Sequence, residues 1–354
     1  MIEPADLDRA VLNQLRVKFK LGFFDQAEEV PLADAPLQII ECEDHRRAAR
    51  EATRESLVLL KNDSDLLPLD RTKVGTIAVI GPNADVRDVL LGNYHGTPTR
   101  QVTALEGVLA EVENSTRVIH ARGCELLSDQ TEACAESCDR YAEAVSAAAQ
   151  ADVAILCLGL NPTIEGESGD AFNAQAGGDK LGLELAAAQE DLVERVAATG
   201  TPMIVLMFAG SAVISPAVER HARALLHCWY PGAEGGALIA QTLFGDHNPA
   251  GRLPVTFYRI TDDLPPFEDY AMTERTYRFF TGEPAYPFGF GLSYTKFEYD
   301  DLMVQASDGT IDVAVTVKNV GVVAGEEVVQ VYVVQEAEFR TPNRRLVAFQ
   351  RVSM

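Results

Sequence analysis

The runs VAILCL at residues 153–158 and MIVLMF at residues 203–208 contain no strongly polar side chain. Two further runs, TIAVI at 76–80 and ALLHCW at 224–229, are almost as apolar. A strand that is apolar along its whole length is buried on both faces, as in a parallel sheet covered by helices. These four runs therefore predict an α/β fold, a three-layer α/β/α sandwich with a mostly parallel sheet.

The stretches between the apolar runs have the 3.6-residue period of amphipathic helices. Alternation of strands and helices is typical of a doubly wound domain, which we assign to residues 44–258. The predicted strands cover residues 74–80, 117–120, 152–158, 203–208 and 224–230. The predicted helices cover residues 44–60, 104–112, 136–150, 186–198, 216–223 and 233–244.

The segment before this domain has a different pattern. Residues 1–43 predict a helix at 6–24, with Leu7, Val11 and Leu15 on one apolar stripe, followed by a polar linker. An apolar stripe of this kind needs a partner. We expect that partner either elsewhere in this chain or in a domain outside it.

The segment after the domain changes pattern twice. Residues 259–297 are rich in proline, glycine and aromatic side chains and predict a connecting segment. Apolar and polar residues then alternate from Ile311 to Lys318, and a second strand is predicted at 328–334. A complete β-sandwich needs about 100 residues. Residues 298–354 therefore predict a truncated all-β sandwich.

The chain is strongly acidic, with 53 acidic against 30 basic residues and a net charge of -23. Such a surface repels phosphate backbones and anionic lipids, which argues against nucleic acid and membrane partners. No apolar run approaches the roughly 20 residues of a membrane-spanning helix. The charge is compatible with a neutral substrate such as a sugar.

The six cysteines are scattered along the chain, which favours a reducing compartment. The N-terminus has no signal-peptide pattern, so we expect a cytoplasmic protein. Cys134 and Cys138 could share a helix face, but no further ligand follows at the spacing of a zinc site. Phosphate-binding glycine loops, nucleophile elbows and H-E-x-x-H motifs are missing. We therefore expect neither a metal nor a cofactor.

The segment GLNPTIEGESGDAFNAQAGGDKLGLEL at 159–185 follows a predicted strand and has no periodicity. Long loops in compact domains are usually functional, and ligands bind at the carboxyl ends of strands in such sheets. Glu165, Glu167 and Asp170 lie within six residues, so one carboxyl group should have a raised pKa, as a general acid requires. A solvated acidic loop and a calcium loop are the alternatives.

Six blocks of the sequence resemble the second domain of family 3 glycoside hydrolases. They are RESLVLLKND at 54–63, IAVIGPNAD at 77–85, LLGNYHGTPTR at 90–100, WYPGAEGG at 229–236, GDHNPAGRLPVTF at 245–257 and YPFGFGLSYTKF at 286–297. The first 43 residues resemble the tail of that family's (β/α)8 barrel domain. The last segment, 298–354, resembles the first half of its fibronectin type III-like domain.

The resemblance implies a retaining β-glycosidase. In this family an aspartate of the barrel attacks the anomeric carbon, and a glutamate of the second domain protonates the leaving oxygen. Carried over to this sequence, that glutamate is Glu167, with Glu165 as the alternative. Many members read E-G-x-D-R here, whereas this chain has Asp179 and Lys180 in the Asp-Arg place. Lys180 keeps the charge of the arginine but lacks its bidentate geometry.

The resemblance also implies a sugar pocket. We expect Asp170, Asp179 and Lys180 of the loop to contact the substrate. Tyr94, in the GNY turn, is a further candidate, with a packing role as the alternative. The LLGNYHGTPTR block, together with the aromatic segment before residue 297, is more similar to β-xylosidases than to β-glucosidases.

The first 43 residues are too few to form a barrel of roughly 250 residues. The sequence therefore predicts that the nucleophile lies on a partner chain, or that this chain is a fragment. In both cases we expect the isolated chain to be inactive on aryl β-glycosides or oligosaccharides. A non-catalytic sugar-binding domain or orphan fragment is the alternative function. Uncovered apolar surface predicts self-association.

Overall fold

A computed structural model describes residues 2–31, 33–112, 116–127, 140–171, 173–174, 177–334 and 343–354. The chain divides into two compact units, Met1–Ala48 and Ala49–Met354. Within the described residues, no helix combines the length and the apolar character needed to cross a bilayer.

The first unit contains α1, Pro4–Lys20, and two 3-10 turns, Ala27–Glu29 and Leu37–Ile39. Proline opens α1, and two lysines in its last turn complement the negative end of the helix dipole. Gly22 follows in a left-handed conformation (φ 72°), so the helix ends earlier than the predicted residue 24. The apolar side chains of its stripe are exposed. Helix α2, Glu43–Ser56, comes next.

The second unit is built on a six-stranded sheet in the order β1-β6-β5-β4-β2-β3. All neighbouring strands are parallel except β1 and β6. The strands are β1 Val58–Asn62, β2 Thr76–Ile80, β3 Arg117–Ala121, β4 Val153–Gly159, β5 Met203–Phe208 and β6 Ala224–His227.

Helices cover both faces of this sheet. The helices are α3 Ala104–Glu111, α4 Tyr141–Ala149, α5 Ala187–Ala197, α6 Pro216–His221 and α7 Gly235–Leu243. Ile155 and Cys157 of β4 pack on the side of α3 and α7. Leu156 and Leu158 pack on the side of α4, α5 and α6. The structure therefore confirms the predicted α/β/α sandwich and its mostly parallel sheet.

The predicted helix 44–60 is wrong at its end, because α2 stops at Ser56 and residues 58–62 form β1. Short apolar runs such as LVLL fit a helix or a strand, and periodicity cannot separate the two. Pairing with β6, where Leu59 lies opposite Leu226, makes this run a strand. The first part of the predicted helix 136–150 and the Cys134–Cys138 pair lie outside the described residues.

Residues after the sheet form short connections and then two antiparallel hairpins. The connections include a 3-10 turn at Thr261–Asp263 and α8, Thr276–Phe279. Two further 3-10 turns lie between strands of the sheet, at Asp63–Asp65 after β1 and at Asp88–Leu90 after β2. One hairpin pairs β7 Phe297–Ser307 with β8 Thr310–Asn319, and the other pairs β9 Glu326–Val333 with β10 Arg345–Ser353. These hairpins confirm the predicted all-β segment.

Arg252 forms a hydrogen-bonded ion pair with Glu327 of β9 (2.6 Å), and both side chains are nearly buried. The side-chain amide of Gln330 donates to the carbonyl oxygen of Gly289 (3.0 Å). The Arg252–Glu327 pair attaches the second hairpin to the α/β domain, and the Gln330 bond attaches it to the connecting segment. In the first hairpin, Ile311 and Val313 are exposed, although their alternation predicted a half-buried face.

Candidate active site

The loops that follow β2 and β4 meet at one edge of the sheet. β2 pairs with β3 on one side and with β4 on the other, so the strand order reverses here. In open α/β sheets, ligands bind at such a switch point, beyond the carboxyl ends of the strands. The buried Asn83 after β2 donates to the carbonyl oxygen of Leu160 after β4 (3.2 Å). The predicted catalytic loop therefore begins where the topology favours a ligand.

Glu165 is fixed by two neighbouring strand ends. Its Oε2 atom accepts hydrogen bonds from the hydroxyl of Tyr230 (2.7 Å), after β6, and from the amide of Gly210 (2.7 Å), after β5. Burial, together with the Glu165 carboxylate, raises the pKa of Tyr230, which therefore keeps the proton that it donates. The Glu165 side chain is thus held by the protein itself.

Lys180 ties the returning arm of the loop to the same region. Its Nζ atom donates to the carbonyl oxygen of Ala212, four residues after the end of β5. Burial lowers the pKa of Lys180 to about 8, and the carboxylates of Glu165 and Glu184 oppose that shift. The amine is thus bonded to the backbone, and the charges of two carboxylates act on it.

Between these two ties, the arms of the loop touch through glycines. The amide of Gly166 donates to the carbonyl oxygen of Gly178 (2.8 Å). A Cβ atom on Gly178 would lie 2.5 Å from the carbonyl oxygen of Gly166, closer than real Cβ contacts. Glycine is needed at 178 for this approach, and also because its φ is 120°.

Glu167 lies one residue beyond this glycine contact and is exposed. Its Oε2 atom accepts a hydrogen bond from the hydroxyl of Tyr94, and its Oε1 atom accepts one from the amide of Ser168 (3.1 Å). These two donors lower the pKa of Glu167, the Tyr94 hydroxyl most strongly. The sequence predicted a raised pKa in this loop; at Glu167 the shift has the opposite direction, because the carboxylate is solvated and hydrogen-bonded.

Tyr94 and its neighbour come from the loop after β2. Tyr94 is 81% exposed and has a left-handed backbone (φ 62°) in the GNY turn. The side-chain amide of Asn93 packs against Gly166, where a Cβ atom would lie 2.1 Å from Nδ2. The loops that carry Tyr94 and Glu167 therefore interlock at two adjacent residues.

The remaining predicted site residues lie around this contact. Asp170 is exposed and contributes, through its charge, to a raised pKa of Tyr94, after the larger effect of the Glu167 hydrogen bond. Asp179 is exposed and precedes Lys180 in the returning arm. Across the described ranges, no three His, Cys, Asp or Glu side chains are grouped as a metal ion would require.

The block pattern, the α/β/α fold and the loop at the switch point agree with one family. Residues 57–294 match the glycosyl hydrolase family 3 C-terminal domain. The chain belongs to glycosyl hydrolase family 3. Its family 3 domain thus includes every predicted site residue.

Two curated family 3 relatives are similar over nearly the whole chain. A β-xylosidase of Formosa agariphila is 35% identical over 342 residues, which cover 92% of this chain and 45% of the relative. A periplasmic β-glucosidase of Salmonella typhimurium is 31% identical over 390 residues, covering 100% of this chain and 49% of the relative. The chain spans about half the length of these relatives.

Solved glycosidase structures have the same fold. One is a family 3 exo-β-xylosidase in complex with a xylobiose aziridine activity-based probe. It superposes with a TM-score of 0.82 at 29% identity, over 99% of this chain and 47% of that chain. A β-glucosidase from Erythrobacter marinus has a TM-score of 0.79 at 34% identity, over 95% of this chain and 47% of that chain.

Two residues of the candidate site, Tyr230 and Asn93, were not predicted from the sequence. Both lie in or next to segments that the sequence analysis used. Tyr230 comes directly after the apolar run ALLHCW, and Asn93 is part of the GNY turn. A polar side chain at the carboxyl end of a buried parallel strand was the signal that could have identified Tyr230.

Proposed function

We propose that this chain supplies the general acid/base, Glu167, to a retaining β-glycosidase. The nucleophilic aspartate then comes from a (β/α)8 barrel domain outside this sequence. β-Xylosides are favoured over β-glucosides as substrates. The support is the pattern of the LLGNYHGTPTR block and the similarity of the chain to the β-xylosidase of Formosa agariphila.

One observation carries the assignment to Glu167. Both candidate glutamates accept two hydrogen bonds, but Glu165 is half-buried and bonded to the segments after β5 and β6, whereas Glu167 is exposed. An acid/base must reach the glycosidic oxygen of a bound sugar. The geometry of the loop supports Glu167 in that role and leaves Glu165 with its protein partners.

The mechanism needs a protonated Glu167, yet its pKa is lowered in this chain. Docking of a barrel domain and a sugar would exclude water from the carboxyl group and raise its pKa. Glu167 would then give its proton to the leaving oxygen while the barrel aspartate attacks the anomeric carbon. In the second step the Glu167 carboxylate takes a proton from the water that hydrolyses the glycosyl-enzyme bond. The two carboxyl groups should lie about 5–5.5 Å apart.

Tyr94, Asp170 and Asp179 are proposed contacts for sugar hydroxyls. Tyr94 and Asp170 are exposed beside Glu167, which supports a position at the rim of the pocket. Hydroxyl groups of a sugar can both donate and accept, so carboxylates and a tyrosine are suitable partners. Lys180 was predicted in the same group, but its amine is already bonded to the Ala212 backbone.

The test is turnover of nitrophenyl β-xyloside and β-glucoside by this chain, alone and mixed with the barrel domain of a family 3 relative. We expect no turnover by the chain alone and turnover by the mixture. Glu167→Gln should lower kcat of the mixture by about 10²–10⁴-fold, because no base is left to activate the water that hydrolyses the glycosyl-enzyme. The control is Glu143→Gln, an exposed glutamate on α4.

Azide gives a second readout, since it attacks a glycosyl-enzyme without needing a base. Azide should restore turnover of an activated substrate in Glu167→Gly. Turnover by the chain alone, or a mixture in which Glu167→Gln is fully active, would contradict the proposal.

A non-catalytic sugar-binding domain is the second candidate, and the lowered pKa of Glu167 is the observation that favours it. A carboxylate that stays ionised binds sugar hydroxyls but protonates no leaving group. This candidate predicts calorimetric binding of xylobiose by the chain alone and no turnover in the mixture.

A further inference from the structure

The catalytic loop is attached to the rest of the domain through both of its arms. On the outgoing arm, Glu165 accepts from Tyr230 and Gly210. On the returning arm, Lys180 donates to the carbonyl oxygen of Ala212. Gly210 and Ala212 belong to one short segment after β5, so both arms are tied to the same place.

The glycine contact closes the loop just beyond these ties. The Gly166 amide bonds to the Gly178 carbonyl oxygen (2.8 Å), and Glu167 follows immediately. The position of Glu167 therefore depends on a two-armed stem whose side-chain ties are Glu165 and Lys180. Loops in a protein open locally unless contacts of this kind hold them.

We propose that Glu165 and Lys180 are positioning residues, which hold the stem closed and thereby present Glu167 to the substrate. This inference rests on the proposed function for its catalytic consequence, but the stem itself is a property of this chain. Glu165 then acts through Glu167 and transfers no proton to the substrate.

The chemistry of the Glu165 tie allows a sharp test. Both donors bond to a single oxygen, Oε2, and the side-chain oxygen of glutamine has two lone pairs. Glu165→Gln therefore keeps an acceptor for both Tyr230 and Gly210, whereas Glu165→Leu removes it. An acid/base would be lost equally in both variants, but a positioning residue is rescued by glutamine.

The Lys180 tie has a predictable pH dependence. The charged groups that face its amine are the carboxylates of Glu165 and Glu184. His227 is also close, but burial and the charge of Lys180 lower its pKa to about 3, so it is neutral. Burial holds the pKa of Lys180 at about 8, below that of an exposed lysine. The closed stem thus binds this proton less tightly than an open stem, and it is stabilised as the pH rises through 8.

The first experiment measures hydrogen exchange of the Gly166 amide in the chain alone. We expect exchange roughly tenfold faster or more in Glu165→Leu, with near wild-type exchange in Glu165→Gln. Glu143→Leu, a change at an exposed glutamate of α4, is the matched control. After correction for intrinsic rates, protection in the wild type should increase between about pH 7 and pH 9, and this increase should disappear in Lys180→Met.

The second experiment uses the mixture with a barrel domain. Glu165→Leu should lower kcat with little change in KM, and Glu165→Gln should have nearly the kcat of the wild type. Azide should not restore turnover in Glu165→Leu, in contrast to Glu167→Gly. Unchanged Gly166 exchange in Glu165→Leu would overturn the inference, as would a glutamine variant as inactive as the leucine variant. An inactive mixture would count against the proposed function alone, because the exchange experiment needs no substrate and still decides whether the ties hold the stem.

Discussion

At the scale of single residues, Tyr94 is the main influence on the pKa of Glu167. Its hydroxyl group donates to a carboxylate that is otherwise open to solvent, and this lowers the pKa of the carboxyl group. The same bond raises the pKa of Tyr94, because loss of its proton would remove the donor. A residue predicted as a sugar contact or a packing tyrosine therefore has an electrostatic effect on the proposed acid/base.

Tyr94→Phe should raise the pKa of Glu167 towards the ordinary value of a glutamate, because the carboxylate loses its strongest donor. The measurement is a pH titration of the Glu167 side-chain carboxyl carbon by NMR. Tyr270→Phe, which changes a tyrosine that is 90% exposed, is the control and should have no effect. An unchanged titration midpoint in Tyr94→Phe would show that the hydrogen bond is not formed in solution.

At the scale of elements, the contact between α3 and α7 sets the spacing of the site loops. Helix α3 follows the loop with Tyr94, and α7 follows the segment with Tyr230. The two helices meet at glycines, where a Cβ atom on Gly107 would lie 2.0 Å from the carbonyl oxygen of Gly236. Backbone this close leaves no room for a side chain, so the distance between the helices is fixed.

Gly107→Ala should lower the free energy of unfolding by about 1–3 kcal/mol, because the added methyl group forces α3 and α7 apart. Alanine is favoured over glycine within a helix by about 1 kcal/mol, and the clash outweighs this gain. Gly96→Ala is the control, since a Cβ atom at Gly96 meets no other atom within 4 Å. Denaturant unfolding of both variants tests the contact, and equal stabilities would rule it out.

At the scale of the whole molecule, an uncovered apolar face competes with a large net charge. Val304 lies opposite Val313, and Ala306 opposite Ile311, so these residues share one face of the first hairpin. Val304 and Ile311 are each 63% exposed. Exposed apolar strands favour association, whereas the net charge of -23 opposes it.

We expect the chain to self-associate, more strongly at high salt, where charge repulsion is screened. Ile311→Lys should shift the chain towards the monomer, because it places a charge in the apolar face. Gln305→Lys adds the same charge on the opposite face and is the matched control. Light scattering that finds a monomer at all salt concentrations would refute this prediction.

Much of the fold followed from local patterns. Apolar runs such as VAILCL indicated buried parallel strands, because a strand that is buried on both faces needs an apolar side chain at every position. The loop at 159–185 was also visible in the sequence, because it is a long segment without periodicity that follows a strand. The run LVLL was assigned to a helix, since only its pairing with β6 makes it a strand.

The sequence by itself determined the fold class, the family resemblance and the loop that carries the candidate carboxylates. Only the tertiary structure decided how Glu165 and Glu167 differ. Tyr230 is 65 residues from Glu165, and Tyr94 is 73 residues from Glu167. Such partners meet because parallel strands bring their carboxyl ends to one edge of the sheet, and local periodicity contains no record of which distant side chains will meet there.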